Sequence, residues 1–362
     1  MNAQQSTSRL TAPSVAVIGA TGAVGREFIA LFEQRRFPIG ALRLFASARS
    51  AGQTLRVGDR DISIEPLTED ALRGIDIALF SAGASTSRAF APVAAAHGAV
   101  VVDNSSAFRM DPATPLVVPE VNARALAPHA RLARPGVIAN PNCSTIIMLV
   151  PLHPIRERFG IERIVASTYQ AASGAGAAAM DELITQSRAS LAGQSSAPRV
   201  FHETCAFNVF SHNSAVDPQT GRNVEEQKMI DEARKIWNDP ALQVEATCVR
   251  VPVLRAHAEA LTITLGSPAT EAELRAILGA APGVRIVDDR AANRFPTPLG
   301  AAGKDEILVG RIRPDSSQPD AGVDPTSGHR RYSGFSLFVC GDQLRKGAAL
   351  NAVQIAEHIL AH

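Results

Sequence analysis

The stretch Val15-Ala16-Val17-Ile18-Gly19-Ala20-Thr21-Gly22-Ala23-Val24-Gly25 decides the fold. Its first four residues are apolar and read as a buried strand. The glycines that follow read as a tight turn, and the amphipathic run Val24–Gln34 as a helix. Strand, glycine turn and helix in that order bring backbone N–H groups and the positive end of a helix to a pyrophosphate. The spacing is GxxGxxG rather than the commoner GxGxxG. Gly19, Thr21, Gly22, Ala23, Val24 and Gly25 are therefore read as a variant dinucleotide turn, against the alternative of a bare strand-to-helix turn.

Working outward, Leu42–Phe45, Ile77–Phe80, Val100–Asp103 and Val137–Ala139 are further short apolar runs, with a helical segment at Ser87–His97. This alternation predicts a parallel sheet with helices on both faces. The second strand speaks to the cofactor. A site for NAD usually carries an acidic residue about 20 residues beyond the glycines. Here Ala46-Ser47-Ala48-Arg49-Ser50 follows instead, with no carboxylate. Ser47, Arg49 and Ser50 suit a 2′-phosphate, which points to NADP.

Beyond residue 142 the pattern changes. Ile161–Tyr169, Ala246–Val253, Ala258–Leu265, Val284–Val287, Ile307–Ile312 and Ser336–Val339 are expected strands of a larger mixed sheet. Helices are expected at Ile146–Phe159, Ala177–Leu191, Glu225–Trp237, Glu271–Leu278 and Gly347–Leu360. Pro314–Tyr332, rich in Pro, Gly, Ser and Asp, reads as a long surface loop.

The totals exclude several classes. A chain of 362 residues has room for two domains. With 36 basic and 35 acidic side chains there is no global field to recruit nucleic acid or an anionic membrane. Met1–Ala12 is polar and lacks the apolar core of a signal peptide, and no apolar run is long enough to span a bilayer. The four cysteines, 143, 205, 248 and 340, show no metal or disulfide spacing. A cytoplasmic, metal-free protein is expected.

Chemistry enters with Asn140-Pro141-Asn142-Cys143-Ser144-Thr145. It sets a cysteine where an apolar helix opens, beside unpaired N–H groups and the positive helix end. Such positions bring a thiol from a pKa of about 8.5 to roughly 3.5–7.5. A thiolate beside a nicotinamide suggests acyl transfer coupled to hydride transfer. Partners for that chemistry follow in order. Arg109 ends Ser105-Ser106-Ala107-Phe108-Arg109, just past a strand. Gln170 precedes the flexible Ser173-Gly174-Ala175-Gly176 loop. Glu225 and Lys228 lie one helical turn apart, with a simple ion pair as the bland alternative. Cys248 to Glu259 carries Arg250 opposite Val249, Val251 and Val253, and then Arg255, His257 and Glu259 on a shared polar face. An arginine inside a strand usually meets an anion. His257 is suited to proton transfer near neutrality, against the alternative of a satisfied strand histidine.

Taken together, GATGAVG, ASARSAG, NSSAFRM, NPNCST, QAASGAG, EEQKM, CVRVPVLRAHAE and LRKGAALNAVQIAE, in that order, resemble the aspartate-β-semialdehyde dehydrogenase family over nearly the whole chain. The resemblance implies an α/β enzyme with an N-terminal Rossmann-like domain and an α+β catalytic and dimerisation domain with a mixed sheet. Residues 13–142, completed by a C-terminal helix at 344–362, would form the NADP domain, and residues 143–343 the second. It implies Cys143 as nucleophile, His257 as acid/base and Gln170 as the group orienting the acyl chain. Arg250 would hold the substrate α-carboxylate, with a carboxylate of the Glu225–Glu226 pair at its amino group. Arg109 and Lys228 would bind phosphate, and Asn142 would touch substrate. Ser81, Gly83, Ser173, Gly174 and Asn351 would touch the cofactor.

The reaction implied is NADPH-dependent reduction of L-4-aspartyl phosphate to L-aspartate 4-semialdehyde and phosphate, feeding lysine, methionine and threonine synthesis, in a homodimer or tetramer. An N-acetyl-γ-glutamyl-phosphate reductase and a non-catalytic NADP-binding paralogue are the alternatives. A glyceraldehyde-phosphate-type dehydrogenase fits the cysteine motif poorly and expects an acidic NAD reader. Departures from the family pattern are Ile147 in place of a polar residue, Asp342-Gln343 in place of Asp-Asn, the polar 314–332 loop and an N-terminal tail.

Overall fold

The computed structural model describes residues 11–362; the first ten residues of the tail lie outside them. The chain divides into two units. One ends at Asn142 and takes up Ala348–His362, and the other is Cys143–Gly347.

In the first unit, β1 (Ser14–Ile18), β2 (Ala41–Ala46), β3 (Thr54–Val57), β4 (Arg60–Pro66), β5 (Ile77–Phe80), β6 (Val100–Asp103) and β7 (Gly136–Ala139) form one sheet. Its order is β3-β4-β2-β1-β5-β6-β7, parallel throughout except for edge strand β3. Alternation along β1 sends Val15 and Val17 to one face, Ala16 and Ile18 to the other. The first face packs Phe28, Leu31 and Phe32 of α1 (Ala23–Gln34), and the second packs Ala91 and Ala94 of α2 (Ala84–Ala96). Both faces are thus covered, and the expected doubly wound sheet is present. The β3–β4 hairpin is an addition to the expected strands. Arg56, Arg60 and Asp61 along it are exposed charges, so the apolar run is too sparse to stand out.

The second unit holds α3 (Cys143–Phe159), β8 (Ile161–Gln170), α4 (Ala177–Leu191), β9 (Phe210–Ser211), α5 (Val224–Ile236), β10 (Gln243–Arg250), β11 (His257–Ala269), α6 (Glu271–Ala280), β12 (Val284–Ile286), β13 (Ile307–Pro314), β14 (Asp320–Val323) and β15 (Arg330–Gly341). The sheet runs β12-β13-β15-β11-β8-β10-β9, with β14 beside β15, and mixes parallel with antiparallel pairs. Helix α3 is buried almost all round, so it reads as an apolar run with no polar stripe. Tyr169, 39% exposed, leans on the half-buried Phe338 on a sheet face that stays partly open.

Three expectations need correction. The 314–332 segment is a hairpin arm: Asp320↔Tyr332 and Val323↔Arg330 pair across it, and Arg330–Asp320 (2.7 Å) and Arg331–Asp324 (2.6 Å) brace it. Turn-type residues around four strand residues hid the pairing. Strand β10 stops at Arg250, because Pro252 cannot continue the ladder. Arg255 therefore leaves the polar face proposed for it and pairs with Asp342 at 2.7 Å, outside any strand.

The last helix, α7 (Leu350–Ala361), enters the core of the first unit through Leu350, Val353, Ile355 and Ile359. A π-helical turn, Arg345–Ala349, precedes it, and residues 344–347 group with the second unit.

Candidate active site

The nucleotide cleft of the first unit lies where strand order reverses between β1 and β5, the point at which open parallel sheets bind ligands. Its volume is about 550 Å³, and Gly19, Thr21, Gly22, Ser47, Ser81 and Phe90 are among the residues lining it. Gly19 has φ +92°, and a Cβ there would fall 2.4 Å from the Ser81 carbonyl oxygen. A Cβ on Gly25 would fall 2.2 Å from the Gly19 oxygen, so glycine is what lets α1 start against the turn. The first turn of α1 carries no acidic side chain, and its leading N–H groups point out of the helix. That is a fit for a pyrophosphate. Ser47 and Arg49 are exposed beyond β2, and Ser50 is half-buried. Gly83 caps α2 with φ +87°.

Two further residues sit in this unit. Arg109, 8% exposed, donates from Nε to the Asn140 carbonyl (2.9 Å) and from a terminal nitrogen to that of Asn104 (2.8 Å). Asn351 donates to the Val117 carbonyl (2.9 Å) and to Asn140 Oδ1 (2.7 Å), which ties α7 to the loops after the strands.

In the second unit Cys143 is the first residue of α3, three residues earlier than the apolar run by itself predicts. It is half-buried, whereas Cys205, Cys248 and Cys340 are buried and their thiols are pushed up by burial. A Cβ on Gly347 would fall 2.9 Å from Cys143 Cβ, so the chain passes the cysteine at glycine distance. Ser144 accepts from Gln170 Nε2 at 3.0 Å, and the same amide reaches Glu225 Oε1 at 3.4 Å.

The Glu225–Glu226 pair is resolved by hydrogen bonding. Glu226 completes a capping box with Asn223 and accepts the Cys248 N–H at 2.9 Å, so both its oxygens serve the backbone. Glu225 instead faces Lys228 Nζ at 3.2 Å.

Arg250 is 1% exposed and its charge must be answered locally. It donates to the Ala171 carbonyl (2.7 Å), His212 Nε2 (2.7 Å) and Asn213 Oδ1 (2.8 Å), and its buried Nε has no hydrogen-bond partner. His212 and Asn213 carry no signal in the sequence; their role shows only once β9 pairs with β10.

His257 is fully buried and accepts the Ala171 N–H at Nδ1 (3.1 Å), which leaves its proton on Nε2, an atom with no partner. Burial first, and then the Arg250 charge, bring its pKa down to about 3, so the ring is neutral. Nε2 lies on the Ser173-Gly174 loop: a Cβ on Gly174 would be 3.0 Å away. Ala256, just before it, holds φ +73°, and its N–H is fixed by Gln343 Oε1 at 2.9 Å. Gln343 also donates to Ser173 Oγ. This departure from the family pattern thus braces the loop and the histidine together. Ile147, the other departure, is buried against Gly341. Glu259 shares the face of His257 but is no polar surface. It is fully buried, neither carboxylate oxygen has a partner, and burial with the Glu225 charge holds it protonated.

A half-exposed thiol at a helix start, a neutral histidine with a free N–H, a buried arginine with a spare donor and a carboxylate can together acylate and deacylate a sulfur while gripping a zwitterion. Comparison with known proteins finds relatives over nearly the whole chain. Residues 14–129 match the family described as semialdehyde dehydrogenase, NAD binding domain, and residues 152–346 its dimerisation domain. The aspartate-semialdehyde dehydrogenase of Synechocystis is 48% identical over 95% of this chain and 96% of its own. That of Aquifex aeolicus is 46% identical over the same shares. A crystal structure of aspartate semialdehyde dehydrogenase II complexed with ASA, from Vibrio cholerae, superposes with a TM-score of 0.89. It is 42% identical and covers 97% of this chain and 98% of that one.

Proposed function

The chain belongs to the semialdehyde dehydrogenase family, and from that premise we propose that it is an aspartate-β-semialdehyde dehydrogenase using NADP, in which Cys143 carries the acyl group. The observation that carries the reading is that Arg250 and Glu225, opposite charges near enough for one to act on the other's ionisation, lie in the unit that holds the half-buried Cys143. That arrangement suits a free α-amino acid, whose carboxylate and ammonium match Arg250 and Glu225; an acetylated amine brings no positive charge for Glu225 to meet.

In the biosynthetic direction the Cys143 thiolate attacks the acyl carbon of L-4-aspartyl phosphate. The carbon–oxygen bond to phosphate breaks, phosphate leaves with the electron pair, and a thioester remains on sulfur. Gln170, held by Ser144 and Glu225, orients the acyl group. Arg250 and Glu225 fix the amino-acid end, so the acyl carbon meets sulfur without a search. Arg109 and Lys228 answer the phosphate charge. Gly19–Gly25, Ser47, Arg49, Ser50, Ser81, Gly83 and Asn351 of the first unit would hold NADPH, with Ser173 and Gly174 as further candidate contacts, and the bound cofactor would supply a hydride to the thioester carbon. His257 donates a hydrogen bond from Nε2 to the substrate oxygen as negative charge gathers there; when that oxyanion re-forms the carbonyl, the carbon–sulfur bond breaks and its electron pair returns to Cys143 as thiolate. The half-open face around Tyr169 and Phe338 suits a homodimer. Among the described residues no helix is long and apolar enough to cross a membrane, in keeping with a cytoplasmic enzyme.

The test is to follow nicotinamide absorbance with L-aspartate-β-semialdehyde, phosphate and NADP. Turnover that needs phosphate supports the reading. A protein that binds NADP yet turns nothing over favours the non-catalytic paralogue.

A further inference from the structure

We infer that His212, Asn213 and Ser214 form a strap that sets the spacing between Arg250 and Glu225, and thereby makes the site select semialdehydes bearing an α-amino group. The inference rests on the proposed function and adds positioning residues to it.

The strap follows from strand pairing. Ser211 pairs with Val249 and Phe210 with Arg250, and the His212 N–H donates to the Cys248 carbonyl at 2.9 Å. Residues 212–214 are therefore delivered to the guanidinium by the ladder itself. A guanidinium only donates, so His212 Nε2, 2.7 Å away, must present its lone pair to it, while the Ser214 N–H approaches Nδ1 at 3.2 Å. Nδ1 lies 3.1 Å from Ser214 Oγ, and the same oxygen accepts the Glu225 N–H at 3.2 Å. The result is an unbroken sequence of contacts, Arg250 to His212 to Ser214 to the first turn of α5, where Glu225 sits.

The chemistry of the strap is the second argument. Had a carboxylate stood at 212, it would have neutralised Arg250 and competed with the substrate anion. An imidazole and an amide orient the fork yet leave its charge unspent, and Arg250 Nε, buried without a partner, remains to donate. His212 is suited to such a role. Burial above all, opposed by Glu225 and aided by Arg250 and Lys228, brings its pKa down to about 4. It remains a neutral acceptor at any pH where the enzyme would work.

The experiment compares wild type with His212→Leu, His212→Gln and Ser214→Ala. Substrates are L-aspartate-β-semialdehyde and 4-oxobutanoate, the same aldehyde acid without the amino group, each with phosphate and NADP. Alkylation of Cys143 by iodoacetamide reports whether the site keeps its fold. His212→Leu and Ser214→Ala are expected to lose at least about tenfold in kcat/KM for the amino substrate, chiefly through KM. The preference over 4-oxobutanoate should shrink by a similar factor, at an unchanged alkylation rate. His212→Gln, which keeps an acceptor for Arg250, should hold KM within about threefold. Unchanged KM and preference in His212→Leu would overturn the strap, as would an equal loss on both substrates accompanied by altered alkylation. Absence of turnover by wild type sinks the proposed function itself, a separable result.

Discussion

The two units build their candidate sites from different materials. The cleft of the first unit is mostly backbone: Gly19, Gly22 and Gly25 clear the space, and the start of α1 supplies N–H groups. The site of the second unit is mostly side chain: Gln170, Glu225, Arg250 and His257 come from four elements and are fixed by hydrogen bonds among themselves and their neighbours. Backbone sites tolerate substitution around them but not of their glycines. Side-chain sites spread the same precision over many residues, each removable at a measurable cost.

The sharpest break of that contrast is at sulfur. Cys143→Ala is expected to lower turnover by about 10⁴-fold or more in the nicotinamide-absorbance assay, since no neighbouring group can take its bond. Cys340→Ala, by contrast, should change rate little. Retained phosphate-dependent activity in Cys143→Ala would end the thioester reading.

Arg250→Leu comes next. Removing a buried charged anchor typically costs about 2–5 kcal/mol, so kcat/KM should fall by about 10²–10³-fold. Stopped-flow or steady-state kinetics on the amino substrate measures it. A loss confined to kcat, with KM untouched, would show that Arg250 does not hold the carboxylate.

The backbone site predicts another kind of failure. Gly19→Ala forces a Cβ against the Ser81 oxygen at a positive φ, and should cost on the order of 3 kcal/mol in stability, read by thermal unfolding. Arg49→Ala, exposed and dispensable to the fold, should cost only about tenfold in NADP affinity by calorimetry, with NAD affinity unchanged.

The smallest effect is a slope. Glu259 stays protonated in the folded protein, while in the unfolded chain it ionises above its ordinary value of 4.5. The folded state then holds the extra proton, so this group removes stability as pH rises. Glu259→Gln lacks that dependence. Its unfolding free energy relative to wild type should climb with pH above that value, by up to about 1.4 kcal/mol per pH unit, read by denaturant unfolding across pH. Parallel curves for the two proteins would mean Glu259 finds a partner in solution.

The same contrast explains what was legible in the sequence. Gly19 to Gly25 announced a turn, a strand and a helix because each residue acts on its own neighbours. Ile77–Phe80 and Ala177–Leu191 were readable to the residue, being a buried run and an amphipathic helix with clear ends. Arg250 and His257 were visible as polar side chains in apolar strands. What could not be read is whatever depends on pairing at a distance. His212 acquires meaning only from the β9–β10 ladder, Arg255 loses its expected place because Pro252 ends a strand, and the 314–332 arm is a strand only beside β15. Choosing Glu225 over Glu226 likewise took a capping box and the Cys248 N–H.

The last helix has a consequence in time. Val15 and Val17 share one apolar core with Leu350, Val353 and Ile359. On the ribosome the strand emerges first and its cover last, with the entire second unit made in between. At about 5–20 residues per second, that sheet face, covered in part by α1, waits on the order of tens of seconds for the helix that completes its cover. The nascent chain must be guarded over that interval, and a premature stop near residue 345 would release a finished second unit joined to a first that cannot shut.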